Sequence, residues 1–294
     1  MTFFEEKISA FYSKEICEKI IMGSSVDRST TLRVNLLKTN VDYVCKILNN
    51  ENIEYAVSPF SPFALIIKNG ENKLRETSLY KNGEIYLQSL SSQLPVIALS
   101  PKEKEDILDM TAAPGGKTGQ IAALCNNKCN ITACEMNLKR AERLKYNLNK
   151  QGVNCANVMT IDARRLESYF SFDRILLDAP CSGSGTLNLN TENKGFTDIL
   201  IKKCVASQNA LLDKALTVLK PGGEMVYSTC SILPCENEEI IKNAAKKHHF
   251  KILPIDEELR NNLPLLPCSL DNALCVAPTK DYEGFFVVKI KKNH

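Results

Sequence analysis

Ile107-Leu-Asp109-Met-Thr-Ala-Ala-Pro-Gly-Gly-Lys-Thr118 decides the fold of this 294-residue chain. A short apolar strand ends on Asp109 and runs into a Pro-Gly-Gly turn, and Thr118 to Leu124 then reads as a helix. Gly115 and Gly116 permit a tight backbone turn close to a ligand, and Lys117 sets a cation beside the helix N-terminus. The last four residues resemble the end of a phosphate-binding P-loop. That motif needs a glycine where Thr111 stands, so a nucleotide phosphatase is set aside.

Downstream of the turn, strand and helix patterns alternate. Asn130 to Glu135, Cys155 to Thr160, Phe172 to Asp178 and Glu224 to Ser228 read as strands. Leu138 to Gln151, Asp198 to Leu219 and Asn237 to Lys247 read as helices, and Phe250 to Leu253 as a further strand. Leu274 to Pro278 with Gly284 to Ile290 reads as a closing hairpin. This alternation predicts an α/β fold, a Rossmann-like, doubly wound, mostly parallel sheet over residues 85–294. Upstream, residues 1–25 form an amphipathic helical pattern with Phe3, Phe4, Ile8, Phe11 and Tyr12 on one face. Strands at Thr31–Asn35, Tyr55–Val57 and Ala64–Ile67 and a helix at Val41–Asn50 complete a small α+β unit within residues 1–84.

Composition narrows the class. Hydrophobic residues make up 44% and charged residues 24%, as in a globular protein with a true core. A net charge of +3 allows a local basic patch but does not demand a polyanionic partner. Apolar stretches fall well short of the ~20 residues of a spanning helix, so no membrane is expected. Met1-Thr-Phe-Phe-Glu-Glu-Lys7 lacks the basic-then-apolar pattern of a secretory signal, which predicts a cytoplasmic location, with a monomer as the default state. Twelve cysteines in that setting read as reduced thiols. Cys125, Cys129 and Cys134 cluster, but they lack a Cys-x-x-Cys pair and His248, His249 and His294 are remote. They read as packed thiols, and no metal is expected.

Parallel sheets bind ligands at the carboxyl ends of their strands, and five ends here carry polar residues. After the first comes the Gly-Gly turn. The next ends at Glu135, placed to accept hydrogen bonds from ribose hydroxyls, and the third at Ile161-Asp162, where a carboxylate could meet an adenine amino group. Together these fit one adenosine-containing cofactor. The fourth continues into Asp178-Ala-Pro-Cys181-Ser-Gly-Ser-Gly185 and the fifth into Tyr227-Ser-Thr-Cys230-Ser231. Neighbouring strands would bring Cys181 and Cys230 to one rim near Asp178, among hydroxyl and glycine residues that poorly describe a core.

These blocks carry a family resemblance. With Arg33-Val-Asn-Leu-Leu-Lys38, Gln88-Ser-Leu-Ser-Ser-Gln-Leu-Pro95, Glu236-Asn-Glu238 and Glu283-Gly-Phe-Phe286, the chain resembles the Nop/Sun family of RNA 5-methylcytosine methyltransferases. The match runs in family order over residues 31–290. The resemblance implies a class I methyltransferase sheet preceded by a small RNA-recognition-like domain, with S-adenosylmethionine as cofactor and rRNA or tRNA as partner. It implies that Ala112, Ala113, Pro114, Gly115, Gly116, Lys117, Glu135, Asp162 and Asp178 line the cofactor pocket or its border with the base. It implies that Arg33, Asn35 and Lys38 contact RNA, that Cys230 is the nucleophile and that Cys181 assists release of the enzyme. Spacing alone does not choose between the two cysteines. Two positions depart from the family: Thr186-Leu-Asn-Leu-Asn190 stands where basic residues are frequent, and Asp109-Met-Thr111 replaces Asp-x-Cys.

The chemistry needs such a set. Carbon 5 of cytosine is a poor nucleophile until a thiolate adds to carbon 6 and raises its electron density. Asp178 would support the adduct at the N3 edge; Cys181, Asp178 or water would then remove the carbon 5 proton. The target base must leave its stack, which costs least in loops and single strands. Lys139, Arg140, Arg143, Lys145 and Lys150 form a basic stripe that reads either as a phosphate contact or as a solvated helix face. The rival functions are a DNA cytosine methyltransferase and a catalytically idle RNA-binding or ribosome-assembly factor.

Overall fold

The computed structural model describes residues 2–191 and 195–293; His294 lies outside them. The chain opens with two helices, α1 (Phe3–Ser9) and α2 (Lys14–Ser24), where the sequence pattern suggested one segment. Each has its own cap: Thr2 and Glu5 close a reciprocal capping box on α1, and the Ser13 hydroxyl accepts from the Ile16 amide on α2.

A small antiparallel sheet follows, built from β1 (Thr31–Val34), β2 (Tyr55–Ser58), β3 (Ser61–Ile67) and β4 (Ile85–Leu87) in the order β2-β3-β1-β4. Helix α3 (Val41–Asn50) lies between β1 and β2 in sequence, and the short helices α4 (Glu71–Glu76) and α5 (Ser78–Lys81) lead into β4. Leu32, Val34, Val44, Leu48, Leu65 and Leu79 form its core.

The large sheet contains β5 (Asp106–Asp109), β6 (Asn130–Cys134), β7 (Ala156–Met159), β8 (Phe172–Asp178), β9 (Leu219–Thr229), β10 (Phe250–Leu253), β11 (Leu274–Val276) and β12 (Phe285–Lys292). Its order is β10-β12-β9-β8-β5-β6-β7, with β11 paired to β12. Strands β5 to β9 run parallel, whereas β12 lies antiparallel between β9 and β10. The connecting helices are α6 (Leu90–Leu99), α7 (Gly116–Leu124), α8 (Leu138–Gln151), α9 (Asp198–Val218), α10 (Glu238–Ala244) and α11 (Glu257–Asn261). Strand β8 shows why the sheet is covered on both faces: four consecutive residues, Arg174 to Leu177, are buried. This is the expected class I methyltransferase sheet.

Packing divides the chain differently from the boundary at residue 84. Ile85–Leu87 completes the small sheet by pairing with β1, so the small unit continues past that point. Phe4, Ile8, Cys17 and Ile20 of the first two helices pack instead into the large core with Ile201, Leu211 and Leu212 of α9. Helix α6 had no counterpart in the periodicity, because eight of its ten residues are buried and no polar face marks it.

Candidate active site at the switch point of the sheet

Strand order positions the site. Beside β5 the connections reverse direction, toward β6 and β7 on one side and β8 and β9 on the other, which opens a crevice at the carboxyl ends. Along that rim the order is Asp162 after β7, Glu135 after β6, the Met110–Gly115 loop after β5, Asp178 and Cys181 at β8, and Cys230 after β9.

The central loop is held from below. Asp109 is buried and its Oδ2 accepts from the Thr118 hydroxyl at 2.7 Å. Burial pushes its carboxyl up to about 6; the Thr118 hydrogen bond opposes the rise and the nearby Asp178 adds to it. The Ala113–Pro114 peptide is cis, and Gly115 at φ 105 starts α7 in a conformation glycine alone adopts readily. At Gly116 a Cβ would stand 2.7 Å from the Tyr86 ring, so the small sheet closes against this turn.

Two cavities meet at the loop. The first, about 300 Å³, is lined by Glu135, Asp162, Asp178, Cys181 and Cys230, with Met110, Ile161 and Leu211 among its apolar walls. Glu135 is buried; its Oε1 accepts from the Asn137 amide at 2.8 Å, and Arg140 stands 3.3 Å from Oε2. Asp162 is covered by Arg164 at 2.6 Å, whose hydrogen bonds hold its carboxyl below the usual range. Ala113 lines both cavities. The second, about 290 Å³, holds Ala112, Pro114, Gly116 and Lys117, while Gly115 lines neither. Lys117 therefore stands at the border and reaches the first cavity through Asp178, which both share. The apolar walls were not singled out from sequence, since Met110 and Leu211 look like ordinary core residues there, and Arg140 was read only as part of a basic stripe.

The reactive end is compact. Cys181 and Cys230 place their sulfurs 3.0 Å apart, both half-buried. The Cys181 thiol is pushed well above the ordinary range, first by its hydrogen bond with Cys230, then by burial and by the charges of Cys230 and Glu236. Asp178 Oδ1 accepts from the Ser228 hydroxyl at 2.8 Å, and Oδ2 pairs with Lys117 Nζ at 2.7 Å. Burial alone would lower the Lys117 ammonium; Asp178 and Asp109 outweigh it and raise the group above its ordinary value. Beneath the cysteines, the fully buried Glu236 accepts from the Ser182 amide and hydroxyl, the Ser231 hydroxyl and the Gln208 amide.

Of the three residues expected to contact RNA, two are buried and one is exposed. Arg33 is 3% exposed and commits its donors to Gln88 at 3.1 Å, Gln151 at 3.0 Å and the Gly116 carbonyl at 3.2 Å. Asn35 is buried and donates to the carbonyls of Gly83 and Gln151. Both stitch the small sheet to α8 and the Gly-Gly turn, and neither is open to a phosphate. Lys38 is exposed, though its Nζ donates to the Asn82 carbonyl at 2.8 Å. Arg33→Ala is accordingly expected to lower the melting temperature by roughly 5 °C, because buried acceptors lose their donor. The salt dependence of RNA binding should stay at the wild-type slope; a shallower slope would restore Arg33 as a phosphate contact.

Among the described residues, no three His, Cys, Asp or Glu side chains are grouped so as to hold a metal ion. Cys125 and Cys129 are buried, and Cys129 lies 3.9 Å from Cys155. No helix of the described residues is long and apolar enough to cross a membrane.

The chain is 37% identical over 290 residues to the ribosomal RNA small subunit methyltransferase F of Shewanella piezotolerans, covering 94% of this chain and 60% of that protein. It is 34% identical over 290 residues to the Homo sapiens 28S rRNA (cytosine(4447)-C(5))-methyltransferase, covering 93% and 36%. The chain thus spans between about a third and two thirds of the length of these curated relatives. Among solved structures, a methyltransferase homolog protein from Pyrococcus horikoshii matches with TM-score 0.79 and 31% identity over 99% of both chains. NSun6 from the same organism, with TM-score 0.86 and 22% identity over 100% of this chain and 98% of that one, shares the fold. A ferredoxin-like domain described as RsmF/B-like matches residues 2–72. The family described as 16S rRNA methyltransferase RsmB/F matches residues 96–291, well over half of the sequence, and the chain belongs to that family.

Proposed function

We propose that this chain transfers a methyl group from S-adenosylmethionine to carbon 5 of a cytosine in RNA, with ribosomal RNA as the first candidate because its relatives' names specify rRNA. The observation that carries the reading is the pair of sulfurs 3.0 Å apart on the wall of a cavity whose opposite rim holds Glu135 and Asp162. The residues present fit the cofactor. Glu135 offers acceptors to a ribose diol, Asp162 an acceptor to an adenine amino group, and Met110, Ile161 and Leu211 apolar walls for the ring. Bound there, the cofactor supplies an electrophilic sulfonium methyl.

Strand order sets the two reactants apart: adenosine toward β6 and β7, the cysteines toward β8 and β9, and the β5 loop between them. The resemblance to the Nop/Sun family assigns attack to Cys230, whose thiolate is the attacking form. The Cys230 sulfur bonds to carbon 6, and the electron pair of the carbon 5–carbon 6 double bond becomes available to take the methyl. Asp178, fixed by Ser228 and Lys117, faces the N3 edge of the base. A base, Cys181 as its thiolate, Asp178 or a water, then takes the carbon 5 proton; the electron pair of that bond re-forms the carbon 5–carbon 6 double bond as the bond to sulfur breaks, and Cys230 leaves as a thiolate. The small antiparallel unit, with the adjoining face of α8, serves as the RNA guide. The proposed setting is the cytoplasm, and the working unit is a monomer.

Methyl transfer from labelled S-adenosylmethionine to unmodified rRNA and tRNA tests this, with the product nucleoside identified by mass spectrometry. The expected product is 5-methylcytidine. Cofactor binding without any methylated RNA would point to an idle assembly factor, product on DNA to the other rival, and a different nucleoside would overturn the cysteine chemistry.

A further inference from the structure

A third cavity, about 390 Å³, lies between the small sheet and α8, outside the reactive site. Its walls include Arg75, Arg143 and Lys150 together with Tyr80, Tyr86 and Tyr146, and among the described residues no carboxylate lines it. Arg143, Tyr146 and Lys150 follow one another at helical spacing, so a single face of α8 presents cation, ring and cation in turn. From the opposite side, Tyr80 is approached by two cations, with Lys150 Nζ 4.4 Å and Arg75 5.8 Å from its ring centroid. Tyr146 is 66% exposed, a large ring left in water on a highly charged helix. Among the described residues Arg143 and Lys150 have no acidic partner within ion-pair distance.

The cavity also adjoins the site. It shares Tyr86, Leu87 and Pro114 with the cavity that contains Lys117 and Asp178, and that one shares Asp178 with the cavity of the two cysteines. A strand whose target base sits at Asp178 would thus leave toward α8 along a floor of rings and cations.

We propose that this groove binds single-stranded RNA flanking the target cytosine, its cations holding phosphates and Tyr146 stacking on a base. The inference rests on the RNA reading above and adds the surface on which the strand lies. Single-strand binding combines these two elements, a cationic groove along the backbone and aromatic platforms for bases. The residues that the family blocks suggested for RNA contact, Arg33 and Asn35, lie buried behind this groove and form part of its support.

The test is fluorescence anisotropy of a labelled single-stranded RNA of mixed sequence across a salt series, with S-adenosylmethionine affinity measured on each sample. A double variant, Arg143→Ala with Lys150→Ala, should weaken RNA binding roughly tenfold and make the log–log salt slope shallower by about 1.4, two contacts at ~0.7 each. Tyr146→Ala should weaken it by at least about fivefold with the slope unchanged, and Tyr146→Phe should retain binding. Cofactor affinity should be that of the wild type throughout, which shows that the fold is intact. Wild-type RNA affinity and slope in the double variant would overturn the groove while leaving the methyltransferase reading untouched. An inert Tyr146→Ala, or duplex RNA binding as tightly as the single strand, would overturn the single-strand assignment. Wild-type protein that binds cofactor but no RNA would instead remove the RNA reading on which the proposal rests.

Discussion

Cys230→Ala should abolish methyl transfer, by roughly four orders of magnitude or more, while leaving cofactor affinity within about twofold of the wild type. Without a thiolate at carbon 6, carbon 5 has no means of attacking a sulfonium methyl at a useful rate. Cys181→Ala should behave differently. On the proposed mechanism addition and methylation rest on Cys230 and release on Cys181, whose sulfur lies 3.0 Å away, so the protein should remain covalently attached to its RNA and migrate as an adduct on a denaturing gel. The geometry makes the pair a sharp test because both sulfurs line the same cavity and each is preceded by a strand of the same parallel sheet. Adduct from Cys230→Ala and none from Cys181→Ala would exchange the two roles. Full turnover in both variants would sink covalent catalysis.

The features legible in the sequence are those that a strand end imposes locally. A parallel strand places its last polar residue at the rim, so Glu135, Asp162 and Asp178 could each be aligned with one site from position alone. The Gly-Gly turn was equally local, because its backbone conformation demands glycine. Arg33 and Asn35 show where this reasoning stops. A polar residue in a strand reads the same whether it meets solvent or a buried partner, and the partner here, Gln151, is more than a hundred residues away in sequence. The basic stripe on α8 divides for the same reason. Arg140 turns to Glu135 and the Ala113 carbonyl, whereas Arg143 and Lys150 line a cavity with Tyr80 of α5 and Tyr86 of β4, which local pattern could not bring beside them. Helix α6 was hidden because burial on all sides erases the periodicity by which helices are recognised.

Glu236 follows from that same non-local packing and carries the second large effect. It is fully buried, and its donors come from three separate segments: Ser182 at 2.8 Å and 2.5 Å, Ser231 at 2.6 Å and Gln208 at 3.3 Å. Ser182 follows Cys181 and Ser231 follows Cys230, so this one carboxylate ties together the two loops that carry the sulfurs. Glu236→Ala would leave these donors without an acceptor in a site closed to water, at a cost of about 3–5 kcal/mol. The melting temperature should fall by roughly 10 °C. Glu236→Gln keeps the shape but turns an NH2 group toward donors, so it should fold with a smaller loss of stability and still turn over slowly. In that variant kcat should drop at least about tenfold at temperatures well below melting, while cofactor affinity holds, because the two sulfurs lose their register and the adenosine rim does not. A purely structural role would lower stability and spare kcat in the folded Gln variant. If Glu236→Ala melts within a degree or two of the wild type, the carboxylate does not hold the cysteine loops, and their 3.0 Å approach must be set by the strands alone.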